Sequence, residues 1–291
     1  MTIEPTLKEV SGSIIQRLAP HYGAGEAEAM NRIIVEEMLH YSPVDAVLRK
    51  DNTISAFMCG KIDKVVDRLL ADEPIQYIFG KARFYGADII VTPDVLIPRQ
   101  ETEELVDIIV GEQSERRDLN VLDLCTGSGC IAVTLARVLK FAVVEGVDIS
   151  EAALKVAFDN ASAAHVKVKW VKADVLSLPD NASPEYDIIV SNPPYVLDSE
   201  KKSMDRNVLD HEPHLALFVP DSDPLRFYVR IAHYASKALR ANGRLYLEVN
   251  PCCAGNIADL LKSLRFKNVD VRLDISGKQR FVTATSPADY D

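Results

Sequence analysis

From residue 119 onward, short apolar runs alternate with stretches of helical periodicity, and this alternation restricts the fold more than any other feature. The runs cover 119–124, 142–147, 166–171, 186–191 and 243–249, with helical patterns at 129–139 and 151–163. A run that is apolar without alternation is buried on both faces, as strands of a parallel sheet are. Parallel neighbours need a crossover, and a helix supplies it. The expected fold is therefore α/β, a mostly parallel sheet with helices on both faces. Two further runs, 268–273 and 279–285, are joined by Ser276-Gly277-Lys278, which predicts an antiparallel hairpin at one edge.

The chain before this alternation reads differently. In residues 1–80, Leu7, Val10, Ile14, Ile15 and Leu18 recur at helical spacing. So do Ala29, Ile33, Ile34, Glu37, Met38 and Leu39, and then Ile62, Val65, Val66, Leu69 and Leu70. Pro20, Gly23-Ala24-Gly25 and Ser42-Pro43 are expected breaks. Residues 81–99, with Phe84-Tyr85-Gly86 and then Ile89-Ile90-Val91-Thr92-Pro93-Asp94, predict a β-hairpin connector, and a helix from Glu101 to Ile109 opens the third region, 100–291. A length of 291 residues accommodates this division into a helical domain, a connector and an α/β domain.

Charge and cysteine usage narrow the function. The net charge is −10, with 8 basic and 12 acidic residues in 1–80 and 25 and 31 in the remainder, so neither part is basic. Broad binding to a nucleic-acid backbone is not expected. Cys59, Cys125, Cys130, Cys252 and Cys253 form no Cys-x2-Cys pair, and the six histidines are scattered, so neither a disulfide framework nor a structural metal site is expected. No apolar stretch approaches the roughly 18 residues of a membrane span. Met1-Thr2-Ile3-Glu4-Pro5 carries no basic or apolar leader, and Glu4 and Glu9 do not suit a transit peptide. A cytoplasmic protein, monomeric for want of a large apolar repeat, is expected.

The chemistry-bearing residues cluster at strand ends. The first strand runs through Asp123-Leu124-Cys125 into a small-residue loop, Thr126-Gly127-Ser128-Gly129, before a helix. Such a loop lets backbone approach a ligand, although a tight strand-to-helix turn explains it equally well. The second strand ends in Asp148, an acceptor for ribose hydroxyls. The third leads to Asp174-Val175, an acceptor for an adenine amino group beside an apolar flank, or simply a helix cap. Together these outline one crevice at the carboxyl edge of a parallel sheet. The fourth strand ends Asn192-Pro193-Pro194-Tyr195. Neither proline has an N–H, so rigid carbonyls stand there with few donors nearby. With the Asn192 side-chain oxygen and the flat Tyr195 ring, the motif suits a planar NH2 group, held by two acceptors and stacked on a face. A plain turn after a strand is the ordinary alternative.

These motifs together resemble the release-factor glutamine methyltransferases, the HemK/PrmC family. The likeness runs through Glu73-Pro74-Ile75-Gln76-Tyr77-Ile78-Phe79-Gly80, Phe84-Tyr85-Gly86, Val91 to Arg99, Thr102-Glu103-Glu104-Leu105-Val106, Ser191 to Tyr195, Glu212-Pro213 and Ala216-Leu217. It implies a class I S-adenosylmethionine-dependent methyltransferase, with a Rossmann-like, seven-stranded, mostly parallel sheet and a small N-terminal helical domain that recognises substrate. It further implies N5-methylation of the glutamine in the Gly-Gly-Gln motif of peptide chain release factors, the protein partners, yielding S-adenosylhomocysteine. Cys125, Thr126, Gly127, Ser128, Gly129, Asp148, Asp174, Val175 and Asn192 are then cofactor-binding. Asn192, Pro193, Pro194 and Tyr195 hold the amide, with Asn192, Pro193 and Tyr195 catalytic. The sulfonium is already activated, so no metal is expected. Two departures stand out. The family usually has glycine at Cys125, and glycine then glutamine where this chain continues Glu248-Val249-Asn250-Pro251-Cys252-Cys253. A methyltransferase acting on an exocyclic amine of a DNA or RNA base is the alternative, since Asn-Pro-Pro-Tyr serves a flipped adenine equally well. A non-catalytic binding module is a third reading.

Overall fold

Thr6 opens the first helix with a reciprocal cap: its hydroxyl accepts from the Glu9 N–H at 3.3 Å, and the Glu9 carboxylate accepts from the Thr6 N–H at 2.7 Å. The computed structural model describes residues 4–287; Met1-Thr2-Ile3 of the leader reading lies outside the described residues, as do the last four residues of the expected 100–291 domain. The helices that follow are α1 (Leu7–Tyr22), α2 (Ala24–Leu39), α3 (Pro43–Leu48), α4 (Ala56–Leu70) and α5 (Ile75–Phe79). The chain then forms β1 (Lys81–Phe84), β2 (Ala87–Ile90), α6 (Gln100–Gln113), β3 (Asn120–Leu124), α7 (Cys130–Val138), β4 (Val143–Asp148), α8 (Glu151–Ala163) and β5 (Val168–Lys172). It continues through β6 (Tyr186–Ser191), β7 (Val196–Leu197), α9 (Arg206–His211), β8 (Phe218–Val219), α10 (Arg226–Ala238), β9 (Leu239–Glu248), α11 (Ala254–Ser263), β10 (Lys267–Leu273) and β11 (Gln279–Thr285).

By packing, residues 1–80 and 206–211 form one unit, and residues 81–205 and 212–291 the other. In the helical unit Leu7, Val10, Ile14 and Leu18 of α1 meet Ala27, Met30, Ile34 and Val35 of α2 and Ile62, Val65, Val66 and Leu69 of α4. The buried face of α2 differs from the one expected: Ile33 is 38% exposed, and the stripe is set by Ala27 and Met30 instead. Pro20 does not break α1 as expected but lies inside it. The helix ends two residues later, so the missing N–H costs one bond in the final turn only. In the same unit His211 of α9 bonds the Ala71 carbonyl at 3.3 Å.

In the second unit β1 and β2 form the expected hairpin, Phe84 opposite Ala87. The main sheet has seven strands in the order β10-β11-β9-β6-β3-β4-β5. β9, β6, β3, β4 and β5 are parallel, while β11 runs antiparallel to both β9 and β10. The tail hairpin thus joins the sheet with β11 inside and β10 at the edge. The chain lays down β3, β4 and β5 in one direction and then returns to the other side of β3 with β6. The switch point lies between β3 and β6, where ligands of doubly wound sheets bind. The core around it is apolar, with Leu122, Leu124, Ile189, Leu245 and Leu247 all buried.

Candidate active site

Strand register brings the predicted residues together. Leu124 of β3 pairs with Val147 of β4 and with Ser191 of β6, one row across three parallel strands. Cys125, Asp148 and Asn192 each follow that row by one residue. Ser191 fixes the row by donating its hydroxyl to the Leu124 carbonyl at 2.6 Å. Beyond the row opens a cavity of about 300 Å³, lined among others by Cys125, Gly127, Asp148, Asp174, Val175, Asn192 and Pro194. Thr126, Ser128, Gly129, Pro193 and Tyr195 are not among its lining residues.

The glycine-containing loop is braced from below. Thr126 donates its hydroxyl to buried Asp123 at 2.5 Å, and the Ala132 N–H reaches the same carboxylate oxygen at 3.2 Å. Burial pushes the Asp123 carboxyl up to about 7. Gly127 and Gly129 have φ of +55° and +76°, conformations that favour glycine. A side chain at Gly129 would also meet Ala157 and Trp170 at 2.9 Å, whereas nothing lies within 4 Å of one at Gly127, which borders the cavity.

Asp148 holds the loop from the next strand. Its Oδ2 accepts from the Gly127 N–H and its Oδ1 from the Ser150 N–H, each at 2.9 Å, while burial raises its pKa. A carboxylate has about four acceptor sites, so capacity remains for a hydroxyl. Asp174 takes the capping role: it caps the turn Val175–Ser177, accepting from the Leu176 N–H at 2.8 Å, and it also lines the cavity. Val175, Leu176, Ile149 and Phe227 add apolar wall beside it. An acceptor for hydroxyls, an open glycine backbone and an apolar slot beside a second carboxylate match an adenosine with a short polar tail.

The Asn192 turn is tied into the sheet. The Asn192 amide donates from Nδ2 to the Thr102 hydroxyl at 3.1 Å, and Thr102, in the first turn of α6, donates to Glu248 Oε2 at 2.8 Å. The Tyr195 hydroxyl reaches Glu248 Oε1 at 3.2 Å, and its ring packs on the core of the sheet. Through that bond the tyrosine anchors the turn. Glu248, at the end of β9, is fully buried, and burial pushes its carboxyl up to about 7. Sequence reasoning missed Thr102 and Glu248 as site residues. The available signal was an acid closing an otherwise apolar strand.

The opposite wall comes from two segments quoted above without a role. Glu212, 4% exposed, accepts from the Ile97 N–H at 3.1 Å and forms an ion pair with Arg99. This clasp joins the 94–99 segment to 212–218, and Asp94, Leu96, Pro213 and Phe218 face the cavity. At the second departure from the family pattern, Asn250 donates to the Tyr195 carbonyl at 3.2 Å and to Glu200 at 3.0 Å, and caps the turn Pro251–Cys253. Cys252 and Cys253 are both free thiols, 3.5 Å apart. Among the described residues no cluster suited to a metal ion occurs, and no helix is long and apolar enough to cross a membrane.

Comparison with known proteins converges on one family. Residues 12–80 match the PrmC N-terminal domain and residues 102–213 the methyltransferase small domain. A release factor glutamine methyltransferase of Bacteroides thetaiotaomicron is 44% identical over 278 residues, covering 96% of this chain and 99% of that one. The chain belongs to the release factor glutamine methyltransferase family. A second member, from Flavobacterium psychrophilum, is 40% identical over 279 residues, 95% of this chain and 98% of its own length. Among solved structures, a 16S rRNA methyltransferase of Thermus thermophilus in complex with AdoMet and guanosine aligns with a TM-score of 0.51 at 22% identity, over 71% of this chain and 49% of that one. A methyltransferase from Pyrococcus furiosus gives 0.51 at 16% identity, over 76% and 98%. These last two likenesses concern the fold, the class I methyltransferase sheet expected from the sequence. Against the family pattern, Cys125 keeps a glycine-like backbone, with φ of +62°.

Proposed function

We propose that the chain transfers the methyl group of S-adenosylmethionine to the side-chain amide nitrogen of a glutamine, the one in the Gly-Gly-Gln motif of peptide chain release factors. The observation that carries this reading is Asn192. It lines the same cavity as Gly127 and Asp148, and its own NH2 is committed to Thr102, which leaves its oxygen to accept.

When bound, S-adenosylmethionine supplies a methyl carbon made electrophilic by a sulfonium and departs as S-adenosylhomocysteine. Gly127, Asp148 and Asp174-Val175 would fix the nucleoside so that this carbon faces Asn192. The Asn192 oxygen and the Pro193 carbonyl would accept the two amide hydrogens and turn the nitrogen lone pair toward the methyl group. Tyr195 keeps that turn rigid. The C–N bond would form as the C–S bond breaks, and the nitrogen would then give up one proton to water. The protein's contribution is alignment and preorganised acceptors, effects worth several orders of magnitude in rate. Residues 1–80 would grip another part of the release factor, in the cytoplasm where that factor works.

Transfer of labelled methyl from S-adenosylmethionine to purified release factor is the test, run beside a Gln→Ala variant of its Gly-Gly-Gln loop and beside bulk DNA and RNA. Label on the unaltered factor alone is the expected result. Label on nucleic acid instead establishes the base methyltransferase, and cofactor binding without turnover on anything establishes the binding module.

A further inference from the structure

We infer that Thr102 and Glu248 are positioning residues that set which end of the Asn192 amide faces the substrate, an inference that rests on the proposed role of Asn192 as acceptor. Proton directions carry it. As a carboxylate, Glu248 offers acceptors only. The hydroxyls of Thr102 and Tyr195 stand 2.8 and 3.2 Å from its two oxygens, and each spends its single proton there. The Thr102 oxygen is left with lone pairs alone. The Asn192 atom 3.1 Å from it must therefore be the nitrogen, a donor, and the Asn192 oxygen is turned away from Thr102. A flipped amide would set two oxygens face to face with no proton between them, which costs a buried hydrogen bond and adds repulsion.

The same chain of bonds makes the orientation depend on the charge of Glu248. A protonated Glu248 donates to Thr102, frees the Thr102 hydroxyl to donate to Asn192, and so removes the preference for one orientation. The groups facing Glu248 are Arg280 of β11, which favours its charge, Glu101 of α6, which opposes it, and Tyr195. Cys130 of α7 stands within its field, and Tyr228 of α10 donates to the Glu248 backbone carbonyl at 3.2 Å. Burial outweighs Arg280 and keeps the carboxyl near 7. Turnover is then expected to fall on the acid side of neutrality.

Thr102→Val keeps the shape of the side chain and removes both hydrogen bonds. It should lower kcat on release factor by about tenfold to a hundredfold, with cofactor affinity within about threefold of wild type. Thr102→Ser restores the hydroxyl and should bring turnover back to within about threefold of wild type. The acid limb of the wild-type kcat profile, with a midpoint near 7, should be absent from Glu248→Gln; buried Asp123 has the same range and is retained in that variant. An independent readout is the side-chain NH2 resonance pair of Asn192, identified by its loss in Asn192→Ala. It should titrate near neutrality in wild type and shift in Thr102→Val. Wild-type turnover by Thr102→Val, or Asn192 resonances indifferent to that substitution, would overturn the inference. Should wild-type enzyme leave release factor unlabelled, the functional reading falls instead, and the resonances alone decide whether Thr102 and Glu248 orient the amide.

Discussion

At the scale of single residues, Asn192 and Cys125 make opposite demands on the site. Asn192→Ala removes the oxygen proposed to accept from the glutamine NH2 and should reduce turnover by about a hundredfold or more with the fold intact. Circular dichroism together with methyl transfer checks both halves of that statement, and near-normal turnover removes Asn192 from the mechanism. Cys125 occupies a left-handed backbone conformation, φ +62°, that costs a non-glycine residue about 1 kcal/mol. Cys125→Gly should recover part of that energy, visible as a higher urea midpoint. Both positions were legible in the sequence, because each stands one residue past an apolar run and strand ends are easily read. Glu248 was announced only as an acid closing an apolar strand, and its pairing with Thr102 was not legible. Their hydrogen bond joins residues 146 apart, and no local pattern announces it.

At the scale of elements, Gly146 of β4 and Gly127 test packing against access. Gly146 pairs in register with Trp170 of β5, and an added Cβ would stand 2.3 Å from the indole ring. Gly146→Ala should destabilise by about 1–3 kcal/mol through overpacking, with a lower thermal midpoint and altered Trp170 fluorescence. At Gly127 the Cβ meets no protein atom and only the left-handed backbone, φ +55°, resists it, so Gly127→Ala should lose cofactor affinity well beyond the about 1 kcal/mol of stability which that strain costs. Calorimetric titration against thermal melting separates the two, and equal losses at both glycines would contradict the assignment of the loop to the cofactor. The strands of the main sheet were readable from apolar runs, whereas the two-residue strands β7 and β8 were not. The buried face of α2 was misread, because contiguous apolar residues such as Ile33 and Ile34 leave the helical phase open. Pro20 was misread as well, because a proline in a last turn costs too little to end a helix early.

At the scale of the whole molecule, the protonation of Glu248 that is expected to lower turnover adds to stability, and buried Asp123 contributes to stability in the same way. Asp123 and Glu248 titrate near 7 in the folded chain and near 4 when unfolded. Each binds its proton more tightly folded than unfolded, so its contribution to stability is complete below about pH 4 and is lost as pH rises through 7, on the order of 3 kcal/mol apiece. Unfolding free energies measured between pH 5 and 7.5 should fall with pH, and the slope should be shallower in Glu248→Gln; an unchanged slope would remove Glu248 from this account. The inserted strand β11 carries a different consequence, for synthesis. It follows β10 in the chain yet lies between β9 and β10. While the polypeptide is being made, the flank of β9 stays open until residues 279–285 have emerged, and open flanks invite aggregation. A stop codon placed just after Leu273 therefore removes an interior strand rather than a fringe, and such a product belongs in inclusion bodies.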